Sequence, residues 1–169
     1  VVGDDALFLG EIIPGVPFTL HWDDTHARMD ERDTFFQANL AHEFIKSLDP
    51  NWVDLDWQMP ANVNLQQACN AFWNGTSINF FHATETCANT GQLADVIHHE
   101  YCHGITDFMY GPTDPPTDMH EGNSDVIGNY LTGESEMGLG FNLDCAHGIR
   151  NSENLLIWPD SLTGEDFQA

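Results

Sequence analysis

Phe35, Phe36, Leu40, Phe44 and Leu48 recur at the three-to-four-residue spacing of a helix, which predicts one over 31–47, closed by Pro50. Residues 52–56 alternate apolar and acidic positions, the pattern of a half-buried strand, and 60–81 reads as further strand broken by a turn at Asn74-Gly75. Residues 91–98 supply helix formers and an apolar stripe that run on through 103, so a helix is expected there. Gly111-Pro112-Thr113-Asp114-Pro115-Pro116 must be a loop, after which a second helix is expected over 120–131. Residues 1–30, interrupted by Pro14, Gly15 and Pro17, read as strand or irregular entry structure; 133–140 is rich in glycine, and 144–154 carries no strong period. No internal repeat or low-complexity tract is present.

The chemistry concentrates in His99-Glu100-Tyr101-Cys102-His103. Residues four apart on a helix share a face, so His99 and His103 can offer two imidazoles to one metal ion. Glu100 lies about a quarter-turn away, placed to act on a water at that ion as a base rather than as a ligand. Catalytic zinc takes three protein ligands and keeps one position open. Glu121, in His120-Glu121-Gly122-Asn123-Ser124-Asp125, is the third candidate. Asp125 is four residues further on and would hold one ligand imidazole in its tautomer. The bland alternative is two amphipathic helices with solvated carboxylates. His42, followed by Glu43 but by no second His four residues on, reads as a helix-surface or core residue.

At 169 residues the chain is long enough for one domain with a sizeable core. Its 41% apolar content and five Trp argue against disorder. The charge is the unusual feature: 27 acidic against 4 basic residues give a net charge of −23 and a pI near 4.2. Such a surface repels nucleic acid and anionic membranes, and both are set aside as partners. It suits a salty extracellular medium or bound Ca2+, and it also serves solubility alone. No stretch reaches the length of a membrane span, and the start has no positively charged leader, so an exported protein would be the mature form without its leader. Cys69, Cys87, Cys102 and Cys145 allow three pairings; the neighbours in sequence, Cys69–Cys87 and Cys102–Cys145, are the expected ones. Disulfides would imply secretion. Asn74-Gly75-Thr76 is formally a glycosylation sequon, though a hairpin turn explains it as well.

Around the zinc motif the chain resembles the thermolysin-like and fungalysin-like zinc metallopeptidases, the gluzincins with H-E-x-x-H and a downstream Glu. The likeness extends to Asn70-Ala71-Phe72-Trp73-Asn74-Gly75, to Asp95-Val96-Ile97-His98-His99-Glu100, to Gly104-Ile105-Thr106-Asp107-Phe108 and to Gly148-Ile149-Arg150-Asn151-Ser152. It covers roughly 33–154. The resemblance implies an α+β fold, the N-terminal lobe of such an enzyme: a twisted, mostly antiparallel sheet with an edge strand, plus the active-site helix and the Glu-ligand helix. It implies His99, His103 and Glu121 as Zn2+ ligands, Glu100 as base and Asp125 behind a ligand imidazole. Asn70 and Ala71 would pair with an extended peptide, Arg150 would bind the substrate backbone, and Val96 and Ile149 would line an apolar pocket after the scissile bond. For these last three a bland reading stands beside the functional one: Arg150 bridging surface acids, Val96 and Ile149 as core.

The chain departs from the family pattern twice. The family's Tyr between the metal helix and the Glu ligand has no counterpart in 112–118, and Tyr110 is out of register. The His expected beyond the Leu-Arg-like segment is missing, since His147 comes too early. The expectation is therefore that 1–169 is a single catalytic domain, a fragment lacking most of the C-terminal helical lobe, with that lobe of the same precursor as a partner. The expected activity is a metalloendopeptidase acting on protein or peptide substrates. A non-catalytic secreted zinc- or calcium-binding module and a gluzincin exopeptidase are the alternatives.

Overall fold

The computed structural model describes residues 6, 11, 13–113, 115–153 and 155; the start of the expected entry segment and residue 154 lie outside them. Helix α1 spans Met29–Leu48. It begins where the Glu31 carboxylate accepts the backbone N–H of Arg28 at 2.7 Å, and it stops at extended Asp49 before Pro50. Phe36 and Leu48, which help give the sequence its helical period, are 62% and 67% exposed, whereas Ala41 is fully buried and Thr34 and Ile45 are buried with it. At Thr34 and Ala41 the buried face holds small side chains, where α1 lies close against its neighbours. The Thr34 hydroxyl donates to the carbonyl of Gly91 at 3.0 Å, and a Cβ on Gly91 would stand 3.1 Å from that hydroxyl.

Strands β1 (Ala61–Leu65), β2 (Ala71–Trp73) and β3 (Ile78–Phe81) form a sheet in the order β1-β3-β2. β1 runs parallel to β3 and β2 antiparallel to it, with Ala71 opposite Phe80 and Trp73 opposite Ile78. β2 is thus an edge strand among the described residues. The Asn74-Gly75 turn joins β2 to β3 as expected: the Asn74 side chain accepts the N–H groups of Thr76 and Ser77, and Gly75 takes a φ of 92°. Residues 52–56 are not a strand. They form turns, with the N–H of Asp56 donating to Val53, because Leu55 is drawn into the core while Asp56 pairs with Lys46. Their apolar–acidic alternation reflects that division, with no partner strand beside them.

Helix α2 (Ala94–Tyr110) follows a single 3₁₀ turn, Thr90–Gln92, and is buried on every side from Asp95 to Thr106. One side, with Tyr101, Cys102 and Ile105, packs on Ala41, Ile45 and Leu55; another, with Val96 and Ile97, packs on Ala71, Ile78 and Phe80. Helix α3 (Thr117–Thr132) starts after the Pro115-Pro116 pair and ends where Gly133 turns left-handed, with φ 75°. It approaches α2 so closely at Gly128 that a Cβ there would stand 2.7 Å from Met137 Cε and 3.1 Å from the Asp95 carbonyl oxygen. Strands β4 (Glu136–Met137) and β5 (Arg150–Asn151) form a small antiparallel pair beyond α3, so most strand pairings are antiparallel, in the α+β architecture expected.

Cys69 and Cys87 form the expected disulfide. Cys102 and Cys145 do not pair: Cys102 is sealed in the α1–α2 interface, while Cys145 is exposed on the loop beside Gly140.

Candidate metal centre

The burial of α2 brings His99 and His103 to the floor of a cleft of about 580 Å³ between β2 and α3. The two rings stand edge to face, 4.5 Å apart at 86°. Across from them, α3 presents Glu121, with Oε2 3.1 Å from His99 Nε2 and Oε1 3.7 Å from His103 Nε2. The other ring nitrogens are committed elsewhere. His99 Nδ1–H donates to Asp125 Oδ1 at 2.7 Å. The Ser124 hydroxyl donates to the carbonyl of His120 at 3.0 Å, so its oxygen accepts His103 Nδ1–H at 3.1 Å. Glu121, Ser124 and Asp125 come from consecutive turns of α3, which explains why one helix can supply all three.

Arg150, delivered by the β4–β5 pair, closes the ring of contacts behind the site. Its Nε and one terminal nitrogen donate to the two oxygens of Asp125, both at 2.7 Å. Asp125 thus holds one imidazole and one guanidinium. The described structure therefore places Arg150 on an acid that is 4% exposed, while its guanidinium also borders the cleft.

Burial dominates the electrostatics. It pulls His99 down, but hydrogen bonds to Asp125 and Glu121, with the charge of Glu100, outweigh it and raise the ring to about 9. Burial pushes Glu100 up to about 7, against the pull of charged His99. Burial and the charge of His99 bring His103 down to about 3, so that ring is neutral. Burial pushes Glu121 up, but the hydrogen bond from His99, together with the charges of His103, His99 and Arg150, outweighs it and holds the carboxyl below its ordinary range.

Two Nε2 atoms facing one carboxylate, with both Nδ1 atoms already donating, are a zinc-type donor set with a coordination position to spare. Glu100 adds a second sign of fit: it is 5% exposed, and its Oε2 has no hydrogen-bond partner among the described residues. A buried carboxylate oxygen left so is costly unless a ligand or water meets it. His103 Nε2 lies 4.0 Å from it. Both three-residue groups of His, Cys, Asp or Glu near enough to share an ion among the described residues lie here: His99, Glu100 and His103, and His103, His120 and Glu121.

The remaining expected residues border the same cleft. Asn70 and Ala71 lie at and just before the start of β2, which faces the cleft with its unpaired edge. Val96 is buried in the cluster under the sheet and still reaches the cleft wall, and Ile149 stands half-exposed across from it. Tyr110 is elsewhere, its hydroxyl donating to Met119 Sδ, and His147 pairs with Asp144 on the surface. Four residues at the centre escaped the sequence reading: Trp73, Asp107, His120 and Ser124. Each carried a signal without a role: Trp73 and Asp107 lie inside the segments that resemble the family, and His120 and Ser124 flank Glu121 and Asp125.

Residues 24–107 match the family described as the thermolysin metallopeptidase catalytic domain, a stretch that holds His99, Glu100 and His103 but ends before Glu121. Among solved structures, the precursor of protealysin, a metalloproteinase from Serratia proteamaculans, is similar at a TM-score of 0.61 and 19% identity, over 77% of this chain and 45% of that one. The chain thus spans less than half of that structure, and the likeness is one of fold. No curated protein matches the chain.

Proposed function

From the premise that the chain belongs to the thermolysin-like metallopeptidases, we propose that it is the zinc-binding lobe of an endopeptidase that hydrolyses internal peptide bonds. The observation that carries this is the convergence of His99 Nε2, His103 Nε2 and the Glu121 carboxylate beside the unpartnered Glu100 oxygen. Zinc held by those three side chains would supply Lewis acidity for a water and for the scissile carbonyl.

The chain's own residues do the rest. An extended peptide adds its backbone to the open edge of β2 at Asn70 and Ala71, which fixes the scissile bond over α2. Glu100, raised toward neutrality by burial, takes a proton from the attacking water and passes it to the leaving nitrogen. Asp125 keeps the His99 ring oriented, and Arg150 steadies Asp125 while its free face meets the substrate backbone. Val96 and Ile149 favour an apolar side chain after the cleaved bond. The 45% coverage of the matched structure supports a second lobe as partner in closing the cleft, and with it a donor for the developing oxyanion. Loss of such a donor costs about 10²–10³ in rate, so the 1–169 chain by itself is expected to bind zinc and cleave slowly. The Cys69–Cys87 disulfide supports a secreted setting.

Glu100→Gln tests the assignment. It should keep one zinc per chain while peptide hydrolysis falls by about 10²–10⁴. Undiminished hydrolysis would remove Glu100 from its role, and loss of zinc from this variant would make it a ligand instead.

A further inference from the structure

We infer that His120, anchored by Asp107, is a positioning residue that holds the His103 imidazole toward the metal and ties it to the edge strand. This rests on the zinc reading of His99, His103 and Glu121. The ring of His120 lies almost flat on that of His103, with centroids 4.3 Å apart and planes 11° from parallel. His103 is therefore held between two rings, the edge-on His99 and the face-on His120.

The stack supplies something the hydrogen bond to Ser124 does not. A single bond at Nδ1, here 3.1 Å to the Ser124 hydroxyl oxygen, leaves the ring free to pivot about that contact. A flat plate at van der Waals distance resists the pivot. The plate is itself fixed, because His120 Nε2 meets Asp107 Oδ1 at 2.8 Å and Asp107 Oδ2 accepts the indole N–H of Trp73 at 2.5 Å. Trp73 belongs to β2 and closes onto α2 at Gly104, where an added Cβ would already stand 3.4 Å from its ring. One carboxylate thus joins the edge strand to α3, and α3 to the imidazole. Only an aromatic ring with a polar tip does both jobs at position 120: phenylalanine would keep the plate, and alanine would keep neither.

The test is zinc affinity of the full 169-residue chain, read by competition with a chromophoric chelator, together with the visible absorption of the Co2+-loaded protein. Removal of outer contacts to metal-binding imidazoles typically costs 10–100-fold in affinity. His120→Ala is expected to lose about that much and to displace the Co2+ bands, with the circular dichroism of the chelated protein unchanged. His120→Phe should recover affinity to within a few-fold and restore the bands. If His120→Ala does not fold, Asp107→Asn is read instead, with weakened affinity expected. Wild-type affinity in His120→Ala or in Asp107→Asn would overturn the inference, as would His120→Phe binding as weakly as alanine. Two zinc ions per wild-type chain, one of them lost with His120, would also overturn it by making His120 a ligand. A wild-type chain that binds no zinc would sink the zinc reading itself, and this inference with it; the two failures are told apart by the wild-type measurement.

Discussion

At the residue scale the centre is a set of buried groups whose protonation depends on one another. His99 sits between Asp125 and Glu121 and keeps a proton to about pH 9, whereas an unfolded His loses it near 6.5. Between those values the folded chelated protein binds more protons than the unfolded one, so its stability must fall as the pH rises. The His99 contribution alone is on the order of 3 kcal/mol. Glu100, raised to about 7, acts in the same direction up to that pH, while depressed His103 acts oppositely but only below 6.5. Chelator-treated protein should therefore melt at a lower temperature at pH 9 than at pH 6.5; a flat or rising profile across that window would contradict the Asp125–His99–Glu121 arrangement. Asp125→Asn should weaken zinc binding about 10–100-fold by loosening the same ring, checked by chelator competition.

At the element scale, what matters is how closely the helices approach. Helix α1 turns its small residues inward and leaves Phe36 and Leu48 largely exposed, so its apolar period identifies the helix without identifying the buried face. Ala41 is fully buried against Leu55 and Tyr101, and Ala41→Leu should cost about 1–3 kcal/mol by overpacking. Thermal unfolding measures it, and a neutral result would mean the α1–α2 interface is looser than described. Gly128→Ala is the more telling variant. Its added methyl would meet Met137 and the Asp95 carbonyl, and the shift it forces falls on the helix that carries Glu121 and Asp125. Stability and zinc affinity should drop together. A variant that melts lower yet binds zinc unchanged would separate α3 packing from the site.

At the scale of the whole molecule, the four cysteines divide into one bridge and two unlike thiols. The 18-residue loop closed by Cys69–Cys87 should contribute roughly 3 kcal/mol, lost on reduction. A thiol reagent should modify one group, Cys145, in the native protein and Cys102 only after denaturation, because burial both shields that thiol and pushes its pKa above the ordinary range. Rapid modification of both in native protein would refute the placement of Cys102. The sequence by itself determined the two helices of the centre, the edge strand with its turn, and which imidazoles and carboxylates share a helix face, because those follow from periodicities of 3.6 and 2 and from local turn chemistry. Only the tertiary structure decided that Arg150 grips Asp125, that Asp107 reaches both Trp73 and His120, that 52–56 folds as turns, and that Cys102 stays unpaired. Those outcomes depend on which surfaces meet across tens of residues of chain, and no local spacing encodes that distance.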